Sequence, residues 1–130
     1  MFTEEKANPD FQQLLRQKGV EVVELISLTP TNAMAYLYER GCLSVLWECG
    51  GTLASRAIAE GSVQKILAFI APKIIGGSTA PTPVGELGFT AMTQALALER
   101  VHWRTIGSDC VLEGYLPLQQ MKQVELPPSP

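Results

Sequence analysis

At 130 residues, with 46% apolar and 18% charged side chains, the chain has the size and composition of one compact domain and is too apolar for a disordered segment. Ten basic against thirteen acidic residues give a formal charge of −3, which supplies no footprint for a polyanion, so no nucleic acid and no anionic membrane is expected as a partner. The longest apolar run, residues 65–72, is far too short to span a bilayer, and the acidic opening over residues 1–6 is unlike a secretory signal, so a cytoplasmic protein is expected.

In chain order, Asn8 and Pro9 supply a cap and a first helical residue, Phe11, Leu14 and Leu15 an apolar stripe, and Lys18-Gly19 a stop, which predicts a helix over 9–18. Residues 20–26 are short and β-branched between Gly19 and Pro30 and read as a strand. Thr29-Pro30 opens a second helix with Ala33, Met34, Leu37 and Tyr38 on its apolar face, and Gly41 ends it. Residues 43–47 read as a strand. Gly50-Gly51 breaks the chain, Leu53, Ala54, Ala57 and Ile58 mark a third helix, Gly61 stops it, and residues 65–71 form a further strand.

Helices alternating with strands apolar on both faces predict an α/β core with a mostly parallel sheet. Residues 76–85, rich in Gly, Pro, Ser and Thr, predict a long loop of the kind that often carries function. Residues 98–106 and 109–116 flank Gly107-Ser108 and predict an antiparallel hairpin. The domain is expected over 1–118, with a flexible tail over 119–130 that contains three prolines.

Cys42, Cys49 and Cys110 are odd in number and lack metal-ligand spacing, so they are read as reduced, buried thiols, Cys42 and Cys49 flanking or occupying one strand and Cys110 on another, and no metal is expected. His102 sits in an alternating run that places it on a solvent face, with no nucleophile nearby in sequence. Trp47 is expected in the core. No phosphate-binding Walker loop, serine-nucleophile elbow or zinc-peptidase motif is present.

One segment combines features that chemistry could use. Glu48 stands at the end of an expected strand, Gly50 and Gly51 follow, and a helix begins, which is where open α/β sheets bind ligands. Small residues let a phosphate approach the backbone, and the free amides of a helix start carry about half a positive charge. Thr52 and Ser55 add hydroxyls. The same pattern also serves plain packing, and Glu48 can equally be a carboxylate tied to a neighbouring N–H or lysine.

Three landmarks in order, residues 45–54 around Glu48-Cys49-Gly50-Gly51, residues 70–77 from Ile70 to Gly77, and residues 106–115 from Ile106 to Tyr115, resemble the reductase domain of the bifunctional riboflavin-biosynthesis deaminase/reductase. Its fold is similar to dihydrofolate reductase, a three-layer sandwich. The resemblance implies that Glu48 contacts substrate and that Gly50, Gly51, Thr52, Leu53, Ala54, Ser55 and Arg56 hold NADPH. It implies reduction of 5-amino-6-(5-phosphoribosylamino)uracil by hydride from that cofactor, and a homodimer or higher oligomer. It assigns Lys73 structure and no chemistry. Cys49 departs from the small Gly or Ala usual there, and residues 2–4 look like the end of a strand midway through the family's domain, so an incomplete domain is expected. A related reductase with another pyrimidine- or pterin-like substrate, and a catalytically silent dinucleotide-binding or dimerisation fragment, fit the same landmarks.

Overall fold

The computed structural model describes residues 1–117, so the expected tail over 119–130 lies outside the described residues. Two compact units divide the chain, one from Met1 to Leu46 and one from Trp47 onward.

The first unit holds strand β1 (Phe2–Glu4), helix α1 (Pro9–Gln17), strand β2 (Val23–Leu25) and helix α2 (Pro30–Glu39). β1 and β2 pair in parallel, Phe2 opposite Val23 and Glu4 opposite Leu25. Residues 2–4 are thus a strand, and the strand expected over 20–26 contracts to three residues because its partner is only that long. Asn8 caps α1 by accepting from the amides of Asp10 at 3.0 Å and Phe11 at 3.2 Å, and Pro9 at the first position has no amide to leave unsatisfied. Thr29 caps α2 through one bond from the amide of Asn32, at 3.1 Å.

The expected apolar stripe of α1 is turned away from its predicted direction. Phe11 and Leu14 are exposed, and Gln12 is 4% exposed, its side-chain amide donating to the carbonyl of Ala7 at 3.5 Å. A buried amide is tolerated where a backbone acceptor meets it. Residues 42–50, which include the strand expected over 43–47, have neither helical nor strand structure. A strand is defined by a ladder, and among the described residues none pairs with this segment, which leaves Leu43 94% exposed.

The second unit holds helix α3 (Gly51–Ala59), strand β3 (Lys65–Ile70), a 3-10 turn at Met92–Gln94, and strands β4 (Glu99–Ile106) and β5 (Asp109–Tyr115). The sheet order is β3-β5-β4, antiparallel throughout. The α/β class is therefore built from one parallel pair and one antiparallel sheet, and β3 joins the latter: Lys65 lies opposite Tyr115 and Ile70 opposite Cys110. The predicted hairpin is present, with Ile106 opposite Asp109 across a two-residue loop. Gly107 alone of the two loop residues has positive φ, +60°, the pattern of a II′ turn.

Helices α1, α2 and α3 end the same way. Gly19, Gly41 and Gly61 take positive φ, and the amide of the following residue returns to a carbonyl of the last turn, Val20 to Leu15, Cys42 to Leu37 and Ser62 to Ala57. This double closure satisfies carbonyls that a helix end would otherwise leave bare.

Ile58 of α3 and Leu116 are the centre of the core, with Val63, Ile66, Val84, Leu87, Leu96 and Leu98 packed against them. Burying side chains of this size contributes roughly 1.5 to 3 kcal/mol each. Gly114 makes room for this packing: a methyl carbon there would stand 3.0 Å from Leu98. The cysteines depart from the expectation of burial. Cys42 and Cys110 are exposed and Cys49 is half-buried, and all three are free thiols. The strand that was to enclose Cys42 and Cys49 does not form. Among the described residues, no helix is long and apolar enough to cross a membrane and no cluster of three or more acidic, cysteine or histidine residues could hold a metal.

Candidate functional site

The site expected from sequence lies wholly in the second unit, at the start of α3. Gly50 is the N-cap, extended at φ −75° and ψ 168°, and its carbonyl accepts from the amide of Ala54 at 3.0 Å. Among the described residues, no side chain caps this helix. The amides of Gly51, Thr52 and Leu53 therefore form the positive end of the helix dipole without an acceptor from a capping side chain.

The two glycines do different things. A methyl carbon on Gly50 would meet no atom within 4 Å, so that side of the turn is open. A methyl carbon on Gly51 would stand 2.5 Å from the carbonyl oxygen of Thr82 and 3.1 Å from the amide nitrogen of Gly85. Gly51 is small because the protein's own loop passes there, a close approach for which the expected reason was a phosphate.

The remaining predicted residues divide by direction. Thr52, Leu53 and Arg56 are exposed, and Ala54 is half-buried. Among the described residues, Arg56 has neither an ion pair nor a hydrogen bond through its guanidinium, so its charge is available one turn beyond the open amides. Ser55 is buried, and its hydroxyl donates to the carbonyl of Thr52 at 3.0 Å. It packs the helix start, facing the protein. Glu48 is exposed, and among the described residues its carboxylate has no hydrogen-bonded or ionic partner. The tie to a neighbouring amide or lysine that would have made it plainly structural is not there.

Residues 82–85 belong to this place and were not read from sequence as part of it. The amide of Gly85 donates to the carbonyl of Gly51 at 2.9 Å, and the hydroxyl of Thr82 donates to the carbonyl of Val84 at 2.8 Å. The available signal was the length and composition of the 76–85 loop, which marks function without saying which turn docks where.

His102 is exposed on β4, opposite Glu113 of β5. Trp47 is half-buried. A dinucleotide's pyrophosphate suits the observed group of donors: amides on an open turn, the Thr52 hydroxyl and the Arg56 guanidinium, none of which has a side-chain partner among the described residues.

Comparison with known proteins covers most of the chain. A family model, the RibD C-terminal domain, matches residues 1–112. The chain is 54% identical over 116 residues to Riboflavin biosynthesis protein RibD of Synechocystis, 89% of this chain and 32% of that protein. It is equally identical, over 116 residues, to Riboflavin biosynthesis protein PYRR, chloroplastic, of Arabidopsis thaliana, of which it covers 19%. Among solved structures, RibD of Acinetobacter baumannii in its form 2 superposes with a TM-score of 0.69 at 26% identity, over 81% of this chain and 29% of that one. The chain thus spans between a fifth and a third of these relatives. With nearly its whole described length matched by one family model and by close relatives, the chain belongs to the RibD C-terminal domain family.

Proposed function

We propose that the chain is the cofactor-gripping part of a riboflavin-biosynthesis reductase, acting with NADPH on 5-amino-6-(5-phosphoribosylamino)uracil. The observation that carries this reading is the start of α3, without a side-chain cap, shortly after a Glu48 that has no partner among the described residues. Family membership supports it, as does a relative from Methanothermobacter thermautotrophicus, 34% identical over 77 residues, whose name is 2,5-diamino-6-ribosylamino-4(3H)-pyrimidinone 5′-phosphate reductase.

In this reading the amides of Gly51, Thr52 and Leu53, the Thr52 hydroxyl and the Arg56 guanidinium hold the cofactor's phosphates. Gly50 leaves the approach open, while Ala54 and Ser55 form the packed back of the turn. Glu48 accepts hydrogen bonds from the substrate's N–H and O–H groups and so orients it, which is a large part of what a protein contributes to such a reaction. When bound, NADPH supplies the hydride that converts the ribosylamino sugar to a ribitylamino chain. Three free thiols suit a reducing compartment, cytoplasm or plastid.

Titration with NADPH, following the fluorescence of Trp47 and Trp103, tests the cofactor half. A saturable change with a matching rise in melting temperature is expected, and neither appearing would sink it. Turnover of the pyrimidine substrate by this chain on its own separates a working reductase from a silent dinucleotide-binding or dimerisation module. One observation favours self-association in either case: Ile74 and Ile75 are fully exposed and Phe69 largely so. A homodimer or higher oligomer is therefore expected, and light scattering showing a monomer at micromolar concentration counts against it.

A further inference from the structure

We infer that Gly85 is a positioning residue for the helix start: residues 82–85 lock the first turn of α3 from behind, and the lock holds the turn's amides in the attitude that binds phosphate. The second half rests on the cofactor reading proposed above. The first half rests on the contact between two glycines.

Backbone meets backbone at this contact. The Gly85 amide donates to the Gly51 carbonyl at 2.9 Å, and each glycine fills the space where the other's side chain would stand. A methyl carbon on Gly85 would lie 3.0 Å from the Gly51 oxygen, 3.2 Å from the Gly51 carbonyl carbon and 3.2 Å from the Ser55 hydroxyl. Gly85 has no positive φ, so its smallness answers to space and not to backbone conformation. The Gly51 carbonyl belongs to the helix's first turn, and whatever pushes it tilts the neighbouring amides. Ser55 extends the lock into the helix through its bond to Thr52, the residue that offers an amide and a hydroxyl on the outer side. The loop is itself stiffened at this point by the Thr82 hydroxyl on the Val84 carbonyl, and Val84 packs against the Ile58 core. Strain introduced at position 85 thus has a stiff neighbour on each side, and the first turn of α3 is what yields.

The clash distances predict a graded response. Gly85→Ala needs neighbours to give by a few tenths of an ångström, whereas Gly51→Ala forces the Thr82 carbonyl, 2.5 Å from the new carbon, to leave. Shifting the first-turn amides by a few tenths of an ångström weakens their hydrogen bonds to phosphate, so Gly85→Ala should weaken NADPH binding roughly three- to tenfold, and Gly51→Ala by more. Because both break one contact, the double variant should lose less than the product of the two.

The experiment is NADPH titration of the full chain and these variants by tryptophan fluorescence, alongside hydrogen exchange of the amide at position 85. Asn8→Ala serves as the control, since it lowers melting temperature in the other unit and should leave NADPH affinity unchanged. Weakened binding by Gly85→Ala, with faster exchange at position 85 and unchanged binding by Asn8→Ala, supports the lock. Affinity within twofold of the unaltered chain while exchange accelerates overturns the positioning role alone. Slow exchange that persists in Gly51→Ala overturns the contact itself. Absence of any saturable change in the unaltered chain overturns the cofactor reading, and the positioning role with it. Should Gly51→Ala fail to fold, the milder Gly85→Ala still decides.

Discussion

Helices α1 and α2 each commit a side chain to their own starts, Asn8 to two amides and Thr29 to one, whereas α3 starts on Gly50 and commits nothing. Their ends do not differ, since each closes on a glycine with the same pair of backbone bonds. The absence of a cap is thus particular to one end of one helix. It is sustained by burial further along: Ala57, Ile58 and Ala59 are all buried, while the more exposed α1 shows Phe11 and Leu14 to solvent. A helix anchored through its body can leave its first turn for a ligand, and a poorly buried one depends on its cap.

The largest effect should come from cutting that anchor. Ile58→Ala removes the centre of the core and is expected to lower stability by about 2 to 5 kcal/mol in urea unfolding. A loss under about 1 kcal/mol would mean that α3 is held in some other way.

Next comes closing what is open. Gly50→Asp puts a carboxylate at an extended N-cap position with nothing within 4 Å to obstruct it, so the side chain can reach the free amides. Stability should rise by a few tenths of a kcal/mol, the usual difference between a glycine cap and a good one. NADPH binding should weaken roughly ten- to a hundredfold, since the carboxylate takes the donors and repels phosphate. A more stable variant that binds as before would dissociate the open helix start from the cofactor.

The converse tests are smaller. Asn8→Ala and Thr29→Ala should each cost about 1 kcal/mol, with Asn8 the larger of the two because it satisfies two amides. Neither should change NADPH affinity. Equal losses would show that the second amide bond at Asn8 contributes little.

The parts of this comparison that sequence disclosed are those set by adjacent residues. Proline at a first turn, glycine after a last one and Gly107-Ser108 between two β-branched runs act through local backbone preference, and each stands where it was expected. What failed depends on distant chain. Residues 43–47 have strand composition but no described partner to ladder with, and Gln12 is turned inward by an acceptor on Ala7 that no periodicity reveals. At the candidate site, the helix start was legible, whereas Glu48 was expected at a strand end and stands exposed on a segment without strand structure. The reason for Gly51 was not, because it lies in a loop that passes 2.5 Å from an atom glycine lacks. Ser55 was read as an outward donor, and only the register of the folded helix turns its hydroxyl onto Thr52.

The smallest effect sets the caps of the first unit against an ion pair in the sheet of the second. The side-chain acceptors on α1 and α2 are an amide and a hydroxyl, which keep their charge state from acid to neutral pH. The sheet of the second unit is braced by Lys65 and Glu113, whose nitrogen and oxygen lie 2.5 Å apart. The hydrogen bond from Lys65 holds the Glu113 carboxyl below its ordinary range against an opposing effect of burial, with the charges of Lys65, Arg104 and His102 adding to it. The same bond raises Lys65. A depressed carboxyl contributes stability above its unfolded pKa and loses it as pH falls through the lower folded value. A raised ammonium contributes below its unfolded pKa and loses it as pH climbs through the higher one. The pair should therefore brace the sheet across the neutral range and fail first in acid. Glu113→Gln should flatten the acid limb of melting temperature against pH while leaving the alkaline limb without its Lys65 component. High salt should shrink the difference from the unaltered chain, since both groups are solvent-accessible. Acid limbs that coincide for the two proteins would mean that other carboxylates set the acid stability of this unit.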